Sequence, residues 1–162
     1  LAFSRHFTKE GVSPYDQFTY ELRSSVIRNP GGDVVFEMNN VEVPAGWSQI
    51  ATDILAQKYF RKAGVPQPDG TSGRETSVKQ VVHRMANCWR AWGEKYGYFA
   101  SEADARVFYE ELSYCMLNQS CVPNSPQWFN TGLFESYGIK GKPPGHYYVE
   151  QRTGQLEKST SA

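Results

Sequence analysis

Apolar residues recur at helical spacing in four stretches of the chain, and each stretch carries its own start or stop signal. Ser13-Pro14-x-Asp16 supplies a capping side chain, a Pro suited to a first helical turn and an acid three residues after the cap. Tyr15, Phe18, Leu22 and Val26 follow as one stripe, and Asn29-Pro30-Gly31-Gly32 ends it, because neither Pro nor paired Gly propagates a helix. A second helix is predicted from Pro44, with Trp47, Ile50, Ile54 and Leu55 on its stripe; it stops at Gly64, just before Pro66. Ser77-x-x-Gln80 has the form of a capping box and opens a third helix. Val78, Val81, Met85, Trp89, Trp92 and Tyr96 line that helix, and Gly97 ends it. Ser101-x-x-Asp104 opens a fourth, striped by Val107, Phe108, Leu112 and Cys115.

Between these stretches the texture changes. Val34-Val35-Phe36 and Val41-Glu42-Val43 are β-branched or aromatic and flanked by turn residues, so 33–43 is predicted as a short strand or hairpin. Residues 66–74, with two Pro, two Gly and small polar residues, read as a flexible surface loop. After Cys121, Pro123-Asn124-Ser125-Pro126 predicts an irregular segment, since residues before Pro avoid the helical region. Gly132, Gly141, Pro143, Pro144 and Gly145 extend it. Tyr147-Tyr148-Val149 and Gln155-Leu156-Glu157 flank Thr153-Gly154 and predict a hairpin, beyond which 158–162 should fray. The fold class expected is mainly α with small β elements (α+β).

Composition narrows the function classes. The 162 residues are enough for one domain with a real core, and 40% apolar with 14% aromatic content excludes a disordered chain. Lys plus Arg and Asp plus Glu both count 17, so there is no electrostatic reason to expect nucleic acid or an anionic membrane as partner. No run approaches the ~20 apolar residues a membrane span needs, and no secretory signal is seen. Cys88, Cys115 and Cys121 form an odd set without a CxxC, which fits reduced thiols in a cytoplasmic protein. The opening Leu1-Ala2-Phe3 lacks a Met, as expected of an excerpt or a processed product.

Few residues suggest chemistry of their own. His83 and Cys88 lie five apart on a helix, about 140° round its axis, so they do not chelate one metal from one face. Cys115 and Cys121 are ill-spaced for zinc. Trp47, Trp89 and Trp92 read as core at their helical spacing, not as a stacking platform for bases. Glu110 and Glu111 point about 100° apart and read as solvated surface, and Glu37 with Glu42 shows no shared site. No GxGxxG, GxxxxGK[ST] or GxSxG occurs. The run Pro123-Asn124-Ser125-Pro126-Gln127-Trp128-Phe129-Asn130-Thr131-Gly132-Leu133 stands apart, with hydroxyls, amides and Gly around two large aromatics. Its side chains and backbone N–H groups suit an anion cradle; equally, it reads as a capped turn anchored by Trp128 and Phe129. The residues alone leave both open.

Asn124 to Leu133 resembles the signature of vitamin B12-dependent (class II) ribonucleotide reductases, their form of the S/T-P-T-x-x-N-x-G segment that precedes the first redox cysteine. Further stretches are similar to the same family in the expected order: 35–51 with Val43-Pro44-x-x-Trp47-Ser48-Gln49-Ile50-Ala51, then Lys58-Tyr59-Phe60-Arg61, 75–93 and Gly145-His146-Tyr147-Tyr148-Val149. The resemblance implies that 1–122 is a helical N-terminal domain and that 123–162 begins the catalytic α/β barrel. It implies adenosylcobalamin as cofactor, a ribonucleoside diphosphate as substrate, and the remainder of the reductase chain and a thioredoxin-like reductant as partners. In the family a cysteine thiyl radical abstracts the ribose 3′-hydrogen, and a cysteine pair reduces the 2′-carbon. Ser125 matches the residue at the substrate nucleotide, near its phosphates, while Asn130 and Gly132 shape the turn. The first redox cysteine would follow a segment like Ser159 to Ala162, so the reacting cysteines are expected outside this chain, and Cys88, Cys115 and Cys121 match no catalytic motif. A non-catalytic helical interaction module and a class I reductase large chain are the rival readings; the wording Pro126-Gln127-Trp128-Phe129-Asn130-Thr131-Gly132 argues against the latter.

Overall fold

The computed structural model describes residues 1–141 and 145–158. Pro143, Pro144 and the 159–162 end, for which loop and frayed conformations are expected, lie outside those residues. The fold is a mixed α+β arrangement, and its β part is larger than the sequence pattern suggests.

The first departure comes early. Ser13 does cap a turn, its hydroxyl accepting the Tyr15 N–H, but the helix is a single 3-10 turn, Pro14–Gln17. The chain then runs extended as β1 (Tyr20–Arg28) against β2 (Val34–Pro44), antiparallel from Tyr20 opposite Pro44 to Arg28 opposite Val34. Leu22 and Val26, expected on a buried helical stripe, are exposed at 66% and 43%. The reason is non-local. Tyr20, Val26 and Ile27 favour extended backbone, and β2 offers a ladder of hydrogen bonds that a solitary strand lacks. Asn29-Pro30-Gly31-Gly32 is thus a hairpin loop, closed by the Asn29 N–H on the Asp33 carbonyl at 2.9 Å and the Asp33 N–H on Asn29 Oδ1 at 2.9 Å. The ribbon bulges between Arg23 and Ser25, where Asn40 takes a left-handed φ of 57°. The bulge lets Met38, Val41 and Val43 all face the core.

The second predicted helix is also shorter. Pro44 closes β2, and Ser48 caps α1 (Gln49–Ile54) through the Ala51 N–H at 3.1 Å. The helix widens into a π-helical turn over Leu55–Tyr59, with the Phe60 N–H donating to the Leu55 carbonyl at 2.9 Å. Residues 66–74 are not a free loop. Two-residue strands, β3 (Val65–Pro66) and β4 (Ser72–Gly73), pair around a turn held by Asp69 and Thr71. The two long helices form where expected: α2 (Val78–Lys95), with both halves of the Ser77/Gln80 capping box made, and α3 (Glu102–Leu117), capped by Ser101 on the Asp104 N–H. Past the buried part of α2, Trp92 and Tyr96 emerge to 47% and 60% exposure, so that end of the stripe is surface.

The segment predicted as irregular contains two short helices, α4 (Ser125–Asn130) and α5 (Leu133–Tyr137). Pro126 sits in the first turn of α4, where its missing N–H has no intrahelical partner to lose. Beyond them β5 (Tyr147–Val149) and β6 (Leu156–Lys158) make the expected hairpin, with Gly154 at a φ of 67° in the turn. The core gathers Val41, Val43 and Trp47 from the ribbon side, Leu55 and Phe60 from the π turn, Val78, Val81, Val82 and Met85 from α2, Met116 and Leu117 from α3, and Trp128 from α4. Trp47 satisfies its indole by donating Nε1–H to the Leu117 carbonyl at 2.7 Å. No helix among the described residues is long and apolar enough to cross a membrane.

Glu110 and Glu111 are not idle surface acids. Residues 3–8 run along α3, the Phe3 N–H reaching Asp104 at 2.8 Å and Arg5 pairing with Glu110. Glu111 accepts the Thr8 hydroxyl at 2.5 Å and the Thr8 and Phe7 N–H groups at 2.8 and 3.0 Å. Burial alone raises the Glu111 carboxyl, but these bonds outweigh it and hold it below its ordinary value of 4.5. The folded carboxylate therefore binds a proton less readily than the unfolded one. Its contribution to stability is complete above pH 4.5 and is lost as the pH falls through the lower folded value. Denaturant titrations at pH 6 and pH 3 should show a smaller acid loss of stability for Glu111→Gln than for the wild type; equal losses contradict this role.

Candidate functional site

Arg84 is the unexpected residue of α2. It lies on the same face as Val81 and Cys88, and its side chain is fully buried, as is that of Glu75. An ion taken out of water persists in a core only if its hydrogen-bonding capacity is met. Here it is met from several elements. Arg84 Nε donates to Glu75 Oε1 at 2.7 Å, Nη1 to the Thr131 carbonyl at 2.7 Å, and Nη2 to the carbonyls of Trp128 at 2.5 Å and Tyr59 at 3.4 Å. Glu75 also accepts the Arg61 N–H at 2.7 Å and the Tyr137 hydroxyl at 2.9 Å. Burial first, and the Glu75 charge second, push the Tyr137 phenol up, which keeps it a donor.

Two of the carbonyls Arg84 collects, those of Trp128 and Thr131, lie at the C-terminal end of α4, where helix carbonyls lack partners and a cation is favoured. α4 and α5 are thereby fixed on α2. Gly132 joins the two short helices at a φ of 79°, and a Cβ there would sit 1.9 Å from the Arg84 carbonyl oxygen. Only glycine tolerates both the conformation and the approach.

On this support stands the aromatic turn. Trp128 is buried, donates its indole N–H to the Pro123 carbonyl at 2.7 Å, and stacks on Tyr59 with centroids 5.1 Å apart and planes 14° off parallel. Phe129 meets the same tyrosine edge-on at 5.5 Å. Ser125, at the first position of α4, is exposed, and its hydroxyl shares a 3.0 Å hydrogen bond with the Tyr59 hydroxyl. Of the two readings, the turn is anchored by Trp128 but not by Phe129, which is exposed, and no side chain caps it; the Ser125 hydroxyl stands at its surface. A run of backbone donors is not there. Pro126 has no N–H, and the Gln127 N–H goes to the Asn124 carbonyl at 3.0 Å. Beside Tyr59 and Trp128 lies an apolar groove of about 180 Å³, walled also by Trp47, Ile54, Leu55 and Val122.

The other candidates separate. His83 Nδ1 shares a 2.7 Å bond with the Tyr109 hydroxyl, whereas Cys88 is buried against the Gly132 backbone, so the two face different surroundings. Burial raises the Cys88 and Cys115 thiols, with Glu135 adding at the first and Cys121 and Glu111 at the second; neither carries the lowered value of an activated thiolate. Arg84, Glu75 and Tyr59 were not legible as site residues. Arg84 borders the apolar stripe of its helix without belonging to it, and no local pattern marks it as buried.

The sequence pattern of the family described as class II vitamin B12-dependent ribonucleotide reductase matches residues 21–119. The chain belongs to that family. It is 47% identical to the vitamin B12-dependent ribonucleotide reductase of Bradyrhizobium diazoefficiens and 44% identical to that of Agrobacterium fabrum, over all of this chain and 15% of each relative. The Streptomyces clavuligerus reductase is 46% identical over 82% of the chain and 13% of that protein. The chain thus spans about 15% of the length of the curated relatives it matches, and it corresponds to their N-terminal region.

Arg84→Met leaves the Glu75 carboxylate buried without its partner, and should lower the unfolding free energy by about 3–5 kcal/mol in denaturant titration. Gly132→Ala should be destabilising as well, through the same contact. A loss within error of zero for Arg84→Met would show that the ion pair does not hold α4 and α5 in place.

Proposed function

We propose that this chain is the substrate-side N-terminal part of a reductase that converts ribonucleoside diphosphates to deoxyribonucleotides for DNA synthesis, with Ser125 facing the nucleotide near its phosphates. The observation that carries the reading is the position of Ser125. Its hydroxyl is held at the surface, on a turn whose backbone is locked from beneath by Arg84. A hydroxyl fixed in this way donates to a phosphate oxygen with little further loss of freedom. On this reading 123–162 begins the catalytic barrel, while 1–122 is the domain it rests on.

The reacting thiols lie elsewhere in the polypeptide. Two thiols of the whole enzyme become a disulfide as the 2′-hydroxyl leaves as water, and a thioredoxin-like dithiol restores them. The buried Cys88 and the raised Cys115 are unsuited to that exchange. Adenosylcobalamin belongs to the whole enzyme, and the described residues do not by themselves build its site. The apolar groove is too small for a corrin, and His83 is engaged with Tyr109. A protein of the cytoplasm, where thiols stay reduced, fits this chemistry.

In the full-length reductase that contains this segment, Ser125→Ala should raise KM for the ribonucleoside diphosphate about tenfold or more, with kcat much less affected, because a bond to a charged oxygen is lost in ground and transition states alike. An unchanged KM would remove Ser125 from the nucleotide site. This chain alone, given adenosylcobalamin and a dithiol, should form no deoxyribonucleotide; turnover would overturn the placement of the reacting thiols.

A further inference from the structure

We propose that Tyr59 is a positioning residue for Ser125: its hydroxyl donates to Ser125 Oγ and so turns the serine proton outward, toward the anionic oxygen that Ser125 binds. The inference rests on the reading of Ser125 given above and extends it to a residue on a different element.

Tyr59 is unusually constrained for a residue at a half-buried position. It ends the π-helical turn, its carbonyl accepts from Arg84 Nη2 at 3.4 Å, and its ring is held between the face of Trp128 and the edge of Phe129. π-Helical turns are rare, and where they occur they often re-aim a side chain at a functional site. In this chain the extra residue in the turn allows Leu55, Ala56 and Phe60 to be buried while Tyr59 faces α4. The phenol thus arrives 3.0 Å from Ser125 Oγ, although 66 residues separate the two in sequence.

The direction of that hydrogen bond follows from what Ser125 must bind. Phosphate oxygens only accept. A serine bonded to one of them must donate its single proton outward, and its oxygen is then an acceptor toward Tyr59. A phenol hydroxyl donates a hydrogen bond more strongly than an aliphatic one, which favours the Tyr59-to-Ser125 direction. Bonds in such a chain polarise one another, and the outward O–H of Ser125 becomes a stronger donor than an isolated serine. The stack on Trp128, which Arg84 holds through its carbonyl, fixes the distance. Tyr59 touches no reacting atom; it acts through the serine.

The test is a double-mutant cycle in the full-length reductase, read as KM and kcat for the ribonucleoside diphosphate, with thermal unfolding measured on every variant. Tyr59→Phe keeps the ring, the stack and the packing and removes only the hydroxyl. It should raise KM about three- to tenfold and leave kcat and the unfolding midpoint near wild type. In the Ser125→Ala background the same substitution should have no further effect on KM, because the group it orients is gone. Two results overturn the proposal while leaving Ser125 in the nucleotide site: Ser125→Ala raises KM and Tyr59→Phe does not, or the two effects simply add. If Ser125→Ala itself leaves KM unchanged, the nucleotide reading fails and the role of Tyr59 fails with it. A Tyr59→Phe effect that appears only as a lowered unfolding midpoint also overturns the proposal, since a structural role alone would account for it.

Discussion

The buried pair of Arg84 and Glu75 sets the terms for the functional half of this structure. A guanidinium inside an apolar helix face is unfavourable until its donors are matched, and no single neighbouring element could match them. The matching comes from the linker before α2, the end of the π turn, and the carbonyls of α4 and its cap, with Tyr137 of α5 completing the carboxylate. Such an arrangement contributes little through Coulomb attraction alone. Its effect is to make the positions of four segments conditional on one another, so that none can shift without leaving a buried polar group unpaired. Gly132 belongs to the same constraint, since its lack of a side chain lets the chain turn directly over the Arg84 carbonyl.

That constraint explains how a six-residue helix, too short to be stable by itself, can hold a hydroxyl in a defined place. α4 is stapled at its C-terminal end by Arg84 and over its length by the stack of Trp128 on Tyr59. Ser125 faces outward, as do Pro126, Phe129 and Asn130, and the Tyr59 it bonds to lines an apolar groove. The two thiols with resolved shifts, Cys88 and Cys115, are both raised by burial, unlike an activated thiolate. The chain belongs to the class II reductase family and spans about 15% of the length of the curated relatives it matches.

Legibility followed the range of the determining contacts. α2 and α3 were readable almost to the residue, because Ser77/Gln80 and Ser101/Asp104 make their caps within one turn of sequence. The β5–β6 hairpin was readable for the same reason, its turn residues being local. Tyr20–Arg28 was misread as helix because its extended form is decided by β2, and the spacing of Tyr15, Phe18, Leu22 and Val26 is coincidental to it. The helices inside 123–137 were read as irregular because their stability comes from Arg84, some forty residues away in sequence. Glu110 and Glu111 were read as surface because their partners, Arg5 and residues 7–8, lie about a hundred residues upstream.

By itself the sequence determined the two long helices, the strand character of 34–43, the terminal hairpin and, through the run Asn124 to Leu133 and its companions, the family. Tertiary structure alone decided that β1 is a strand, that α1 ends in a π turn aimed at α4, and that Ser125 meets Tyr59. The difference is physical. Caps, turns and periodic stripes are satisfied by neighbours a few residues away, whereas a buried charge and a shared hydroxyl contact take their partners from wherever the packed chain delivers them.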